Sequence, residues 1–339
     1  MIYPRFLKKG DKVAVTAPSA GIVDPIKINT FKNAKKELKN RYDLDVFFSE
    51  NVFRDDGTGR SSSGFERGYQ FNELVSLKFP WIIGATGGDF LVEMLDYVDY
   101  ANFAENPCWV QGYSDLTSLL YSITTICDVA TIYGTNFSIF GMEEYGQPHF
   151  DNIKLLFGET KEFHNYEKYE DGFQEKVTGL EYFNMTEKTV WKNAHNENKV
   201  TFSGRLLGGC TEIIFALIGT PYERTKEFCE KYKNDGIIFY FETFASNDND
   251  MYLHLWQMKK AGFFKYCKGI MFGRPLFYNS MRNESYQDVC LSALDSLNIP
   301  IIFDVDIGHK APQLPIVNGA YATVHSEDGN GYIKYKFLK

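Results

Sequence analysis

Apolar positions alternate between two periods along residues 12–126. Residues 12–17 (KVAVTA) form a short apolar run that predicts a strand, and residues 25–41 carry Ile28, Phe31, Ala34 and Leu38 at helical spacing among lysines and asparagines. Residues 45–48 read as strand, 65–79 as helix, 81–85 as a buried strand, 90–98 as helix, 109–113 as strand and 116–126 as helix. This β–α alternation with short connections predicts a parallel sheet covered by helices on both faces.

The texture changes from about residue 141, where Glu, Lys, Asn and Tyr accumulate and the periodicity fades. A second ordered block opens near Val200 with Gly204-Arg205-Leu206-Leu207-Gly208-Gly209. Strands at 236–241, 269–272 and 301–303 follow, with helices at 250–261 and 286–297 and alternating strands over 321–337. The expected division is an N-terminal α/β domain (1–165), an aromatic and polar connector (166–199) and a C-terminal domain (200–339).

Composition narrows the classes. With 44% hydrophobic and 24% charged residues the 339-residue chain is globular rather than disordered. Lys plus Arg number 36 against 44 Asp plus Glu, a net charge of −8 without a basic stripe, which argues against nucleic acid as a partner. No apolar run approaches the roughly 20 residues that span a bilayer, and no signal-peptide-like stretch opens the chain, so no membrane association is expected. The six cysteines are scattered without a CxxC pair or metal-like clustering, which reads as reduced thiols and a cytoplasmic location.

In a parallel α/β sheet, ligands gather outside the carboxyl ends of the strands. Two such ends carry candidate chemistry. Thr86-Gly87-Gly88-Asp89 is a strand-to-helix turn that either packs tightly or turns its N–H groups toward a ligand. It is neither GxGxxG nor a phosphate loop, which disfavours a dinucleotide-dependent oxidoreductase. In Gly112-Tyr113-Ser114-Asp115, Ser114 is either a helix N-cap or a nucleophile raised above the sheet, with Leu116 standing where a GxSxG elbow has its last glycine.

A serine nucleophile needs a base and an orienting carboxylate. His149, His164, His195 and His325 lie in polar stretches and are expected to be solvated, and His254 is expected to pack inside its helix. His309 sits in a strand-end loop stiffened by Pro312 and Pro315, and Glu242 ends the apolar run 237–241. Glu242 either faces solvent or, with His309, completes an acid–base pair at a domain interface.

These motifs, in this order, resemble the LD-carboxypeptidase family of serine peptidases, which includes the microcin C self-immunity proteins. The resemblance covers Gly10 to Val15, Ala17-Pro18-Ser19, Thr86-Gly87-Gly88, the GYSD motif at 112–115, the glycine-rich run at 204–209, Glu242 and Gly308-His309-Lys310-Ala311-Pro312. It implies a Rossmann- or flavodoxin-like parallel-sheet N-terminal domain beside a smaller, β-rich α/β C-terminal domain, usually as a homodimer. It also implies a Ser114–Glu242–His309 triad and an oxyanion hole from the backbone of Gly88 and Asp115, with no metal or organic cofactor. The turn departs from the peptidoglycan-trimming branch, with Thr86 before the paired glycines and Asp89-Phe90 after them. The aromatic connector looks more like the self-immunity branch, in which this region helps hold a nucleotide-like group. Trp191 either packs on its own domain or stacks on such a ring.

The expected activity is hydrolysis of an amide near a C-terminus, in either a murein-type peptide or a peptidyl- or aminoacyl-nucleotide. Gly87, Trp191 and Arg205 are candidate binding residues, and Arg205 or Arg274 would pair a substrate carboxylate. A non-catalytic binding protein using the interdomain cleft is the alternative.

Overall fold

The computed structural model describes residues 1–338. Strands β1 (Lys12–Thr16), β2 (Asp45–Phe48), β3 (Trp81–Gly84), β4 (Trp109–Gly112) and β5 (Thr131–Tyr133) pair in parallel in the order β2-β1-β3-β4-β5. That is the flavodoxin-like order, and its reversal between β1 and β3 opens a crevice at the strands' carboxyl ends. Central strands β3 and β4 are buried at every position, as expected of a sheet covered on both faces. The helix Pro25–Tyr42 starts at Asp24, whose carboxylate accepts the Ile26 and Lys27 N–H groups, and it buries Phe31, Ala34 and Leu38 of the predicted stripe. The stretch expected as a helix over 90–98 is instead a 3₁₀ segment, Leu91–Tyr97.

The second half adds β6 (Glu162–His164), the two-stranded ribbon β7 (Lys168–Tyr169) and β8 (Glu187–Lys188), and β9 (Lys192–Asn193). It continues through β10 (Lys199–Cys210), β11 (Ile237–Glu242), β12 (Cys267–Gly273), β13 (Ile301–Val305), β14 (Ile316–Asn318), β15 (Tyr321–Glu327) and β16 (Asn330–Lys336). Eight of these form a sheet in the order β6-β16-β15-β10-β11-β12-β13-β9, in which β10 to β13 run parallel. β14 leaves this half and pairs antiparallel with β5 in the first sheet. The loop between β13 and β14, residues 306–315, is therefore anchored in both sheets.

Small residues let the halves approach. A side chain at Gly208 would collide with Tyr240 of β11, and one at Gly209, held at φ +151°, would collide with Thr117 of the first half. The Cys210 N–H donates to Thr117 Oγ1 across the junction at 3.0 Å. Fully buried Asn318 accepts from the Gly208 N–H at 3.2 Å and from the Tyr240 hydroxyl at 2.9 Å.

His149 corrects one expectation. It is buried rather than solvated, with its ring 4.3 Å from that of Tyr145. Nδ1 accepts the Gly146 N–H and Nε2 donates to the Ile139 carbonyl, while burial pushes its pKa down to about 4. The helix Gln147–Leu156 that carries it belongs to the packed first half.

Replacing Asn318 by Ala leaves the Gly208 N–H and Tyr240 hydroxyl buried without an acceptor. We expect a loss of about 1–3 kcal/mol in urea unfolding; an unchanged midpoint would show that this junction contributes nothing to stability.

Candidate active site

Ser114 stands two residues beyond the end of β4 and adopts φ +66°, a left-handed conformation that is costly for a residue with a side chain. The chain reverses there into the helix Thr117–Ser122, so the hydroxyl stands above the carboxyl edge of the sheet. Leu116 explains the missing elbow glycine. Its side chain fills the space over Gly84 and Gly112, where any Cβ would collide with it, so the small residues sit on the strands instead.

The structure brings Ser114, His309 and Glu242 together. His309 Nε2 lies 3.0 Å from Ser114 Oγ, and Nδ1 lies 2.7 Å from Glu242 Oε2. The imidazole is 5% exposed and has the rings of Tyr113 and Phe244 at 5.1 and 4.9 Å. Burial alone would lower its pKa, but the charge and hydrogen bond of Glu242, with a further contribution from Glu212, leave it raised above the ordinary value. Glu242 is fully buried at the end of β11, and a side chain at Gly308 (φ +98°) would strike its carboxylate. Its other oxygen, Oε1, accepts from the Tyr133 hydroxyl at 2.5 Å.

Tyr133 was not among the residues singled out in the sequence. It ends β5, and its hydroxyl also accepts the Ser114 N–H at 3.3 Å. Burial, reinforced by the charge of Glu242, pushes its pKa well up, so it remains a donor.

Gly87 faces Ser114, and Gly88 packs against the loop after β1. A Cβ at Gly87 would lie 3.1 Å from Ser114 Oγ, and one at Gly88 (φ +151°) would collide with Ser19. Neither the Gly88 N–H nor the Asp115 N–H makes a hydrogen bond among the described residues. The Asp115 carboxylate braces this cradle. It accepts from Ser19 Oγ at 2.5 Å and from the Leu91 N–H at 2.9 Å, and burial pushes its pKa up to about 6 against those bonds. A cavity of about 450 Å³ opens over Ser114, bounded by the glycine turn on one side and by Cys210, Glu212 and Phe244 on the other.

Three candidate binding residues lie elsewhere. Trp191 is 2% exposed, and its indole N–H donates to Asp306 at 2.9 Å, so it packs beneath the His309 loop rather than lining the cavity. Arg205 pairs with Asp235 and caps the Gly319 carbonyl, and Arg274 pairs with buried Asp306 at 2.8 Å. Neither arginine lines the cavity. The exposed rings of Phe173 and Phe244 line the cavity, and exposed Phe277 packs on both, with centroids 5.4–6.3 Å apart.

Models of two LD-carboxypeptidase domains match this chain, the N-terminal domain over residues 13–134 and the C-terminal domain over 203–324. A putative carboxypeptidase of Treponema pallidum is 26% identical over 317 residues, covering 91% of this chain and 89% of that protein. The microcin C7 self-immunity protein MccF of Escherichia coli is 25% identical over 291 residues, covering 82% and 81%. The structure of MccF in complex with aspartyl sulfamoyl adenosine superposes with a TM-score of 0.81 at 22% identity, covering 100% of both chains.

The place of Trp191 has a measurable consequence. Trp191→Phe removes a donor from the buried Asp306 carboxylate, and we expect about 1–3 kcal/mol of destabilisation in urea unfolding. A surface stacking residue would give no shift.

Proposed function

The chain belongs to the LD-carboxypeptidase family of serine peptidases, and from that premise we propose that Ser114, His309 and Glu242 form its catalytic triad. The observation that carries this assignment is the imidazole placed 3.0 Å from the serine oxygen and 2.7 Å from a buried carboxylate. Ser114 Oγ attacks the amide carbonyl carbon while His309 Nε2 takes its proton. Glu242 keeps the remaining proton on Nδ1 and stabilises the imidazolium. The N–H groups of Gly88, in the glycine turn that borders the same cavity, and of Asp115, next in sequence to Ser114, are assigned to receive the developing oxyanion. As the C–N bond breaks, His309 returns the proton to the leaving amine. Water then repeats the sequence on the acyl-enzyme and releases the acid.

The chemistry is supplied by side chains and backbone amides alone, and the proposal includes the homodimer implied by the family resemblance. For the substrate, we favour a peptidyl- or aminoacyl-nucleotide over a murein peptide. Two things support this reading. MccF, of the same fold, is solved with aspartyl sulfamoyl adenosine. Here the exposed rings of Phe173, Phe244 and Phe277 lie beside the cavity, where they can stack on a planar base. Phe173 also borders a second cavity of about 500 Å³, which shares Thr86 with the first and has room for the leaving group.

Two experiments test the triad. A fluorophosphonate probe should label Ser114, and Ser114→Ala should abolish labelling and reduce amide hydrolysis at least about 10⁴-fold; near-normal hydrolysis by that variant would reject the assignment. The pH profile is a second check. His309 accepts a proton only when neutral, and its pKa lies above the ordinary 6.5, so kcat/KM should rise with pH to a midpoint above 6.5. Glu242→Gln removes the attraction that opposes burial, and the midpoint should move down. A profile flat from pH 5 to 8 would remove His309 as the base.

A further inference from the structure

Among the described residues the cavity over Ser114 has no lysine or arginine in its walls, and the imidazole there is that of His309. Asp89, Asp115 and Glu212 do line it. Asp115 is occupied as the brace of the glycine turn, and Asp89 is exposed on the rim. Glu212 stands apart from both. It lies at the junction of β10 and the helix Thr211–Leu217, two residues beyond Cys210, which is in register with Glu242.

The two oxygens of Glu212 have unequal surroundings. Oε1 accepts from the hydroxyls of Thr243 and Ser246 and from the N–H groups of Phe244 and Ala245. Oε2 has only the Cys210 thiol, a weak donor, at 3.1 Å. Burial would favour the neutral acid, but the donors around Oε1 outweigh it and hold the pKa below the ordinary glutamate value. Glu212 is therefore a fixed anion with one oxygen saturated and the other poorly partnered. It borders a cavity lined by no lysine or arginine among the described residues, and the His309 imidazole that feels its charge is hydrogen-bonded to Glu242 and Ser114 instead. A partly buried charge of this kind is satisfied by a paired charge of opposite sign, and a ligand in the cavity can bring one to Oε2.

We propose that Glu212 selects the substrate, and that the acyl group cleaved at Ser114 carries a protonated amine that pairs with Glu212 Oε2. This rests on the triad reading above and deepens it by naming the acyl class. The amine is either the free α-ammonium of an aminoacyl group or a basic side chain, and the same carboxylate serves both. A murein-type C-terminus carries its free carboxylate on the leaving amine, and that group meets no lysine or arginine among the residues lining this cavity.

The test uses a matched set of fluorophosphonates that react at the same phosphorus and lose fluoride. They differ only in bearing an α-ammonium, a side-chain ammonium, a neutral isostere or a carboxylate. Second-order labelling rates of Ser114 are measured for the full-length protein and for Glu212→Gln. At least one ammonium probe should react roughly ten- to a hundredfold faster than the neutral one, the range set by a charge-assisted hydrogen bond. The carboxylate probe should be slowest. Comparing the two ammonium probes identifies which amine is read. In Glu212→Gln the ratio of ammonium to neutral rates should fall toward one. The ratio within the unaltered protein stands even if that variant folds poorly. Labelling of Ser114 with no charge preference, or a preference for the carboxylate probe, overturns the role of Glu212 and leaves the triad intact. No labelling by any probe overturns the triad reading and this inference with it.

Discussion

One buried negative charge organises the junction of the two halves. Glu242 ends a strand of the second sheet with no exposed surface, and a carboxylate in that position must be fully partnered or it destabilises the fold. Its partners come from elsewhere: Tyr133 from the last parallel strand of the first sheet, and His309 from the loop tethered in both sheets. The Tyr133 hydroxyl also holds the Ser114 N–H, and His309 reaches the Ser114 hydroxyl. Four residues thus close a ring of hydrogen bonds that exists only when the two sheets meet. Stability and reactivity draw on the same contacts, since the geometry that satisfies Glu242 also aims the imidazole.

A second carboxylate governs the other side of Ser114. Asp115 gathers the loop after β1 through Ser19 and the segment after the glycine turn through Leu91. Ser19 in turn occupies the space that a Cβ at Gly88 would need. The cradle is therefore fixed before any substrate arrives, and in the proposed reaction donors held in place in advance would pay no reorganisation. The orphaned Oδ1 of Asp115 is the cost of this arrangement, a buried acceptor left without a donor among the described residues.

Much of this was legible in the sequence because the period of the apolar residues marks where strands end, and parallel α/β sheets put their chemistry there. Glu242 closes such a strand, and Ser114 and His309 lie just beyond the ends of two others. Tyr133 was not legible: an aromatic residue closing a short apolar strand is indistinguishable from core until its hydroxyl is seen beside Glu242. Trp191 and His149 mislead for the opposite reason. Both sit in polar stretches that suggest exposure, yet each is buried by partners that local composition does not reveal. Asp306, which receives the Trp191 indole, lies more than a hundred residues away. Residue type alone makes Arg205 and Arg274 candidates, but their acidic partners, Asp235 and Asp306, hold them outside the cavity.

Glu212 shows how selectivity and reactivity can be linked on one strand edge. Its charge is among the influences that raise the pKa of His309, together with the larger one of Glu242. With the cavity empty, that charge favours the protonated imidazole, which cannot accept the serine proton. An ammonium group paired with Glu212 would cancel this contribution and lower the His309 pKa, increasing the neutral fraction at a given pH. The group that identifies the substrate would then also ready the base. Glu242 keeps orienting the ring throughout, because its own two oxygens are committed to Tyr133 and His309.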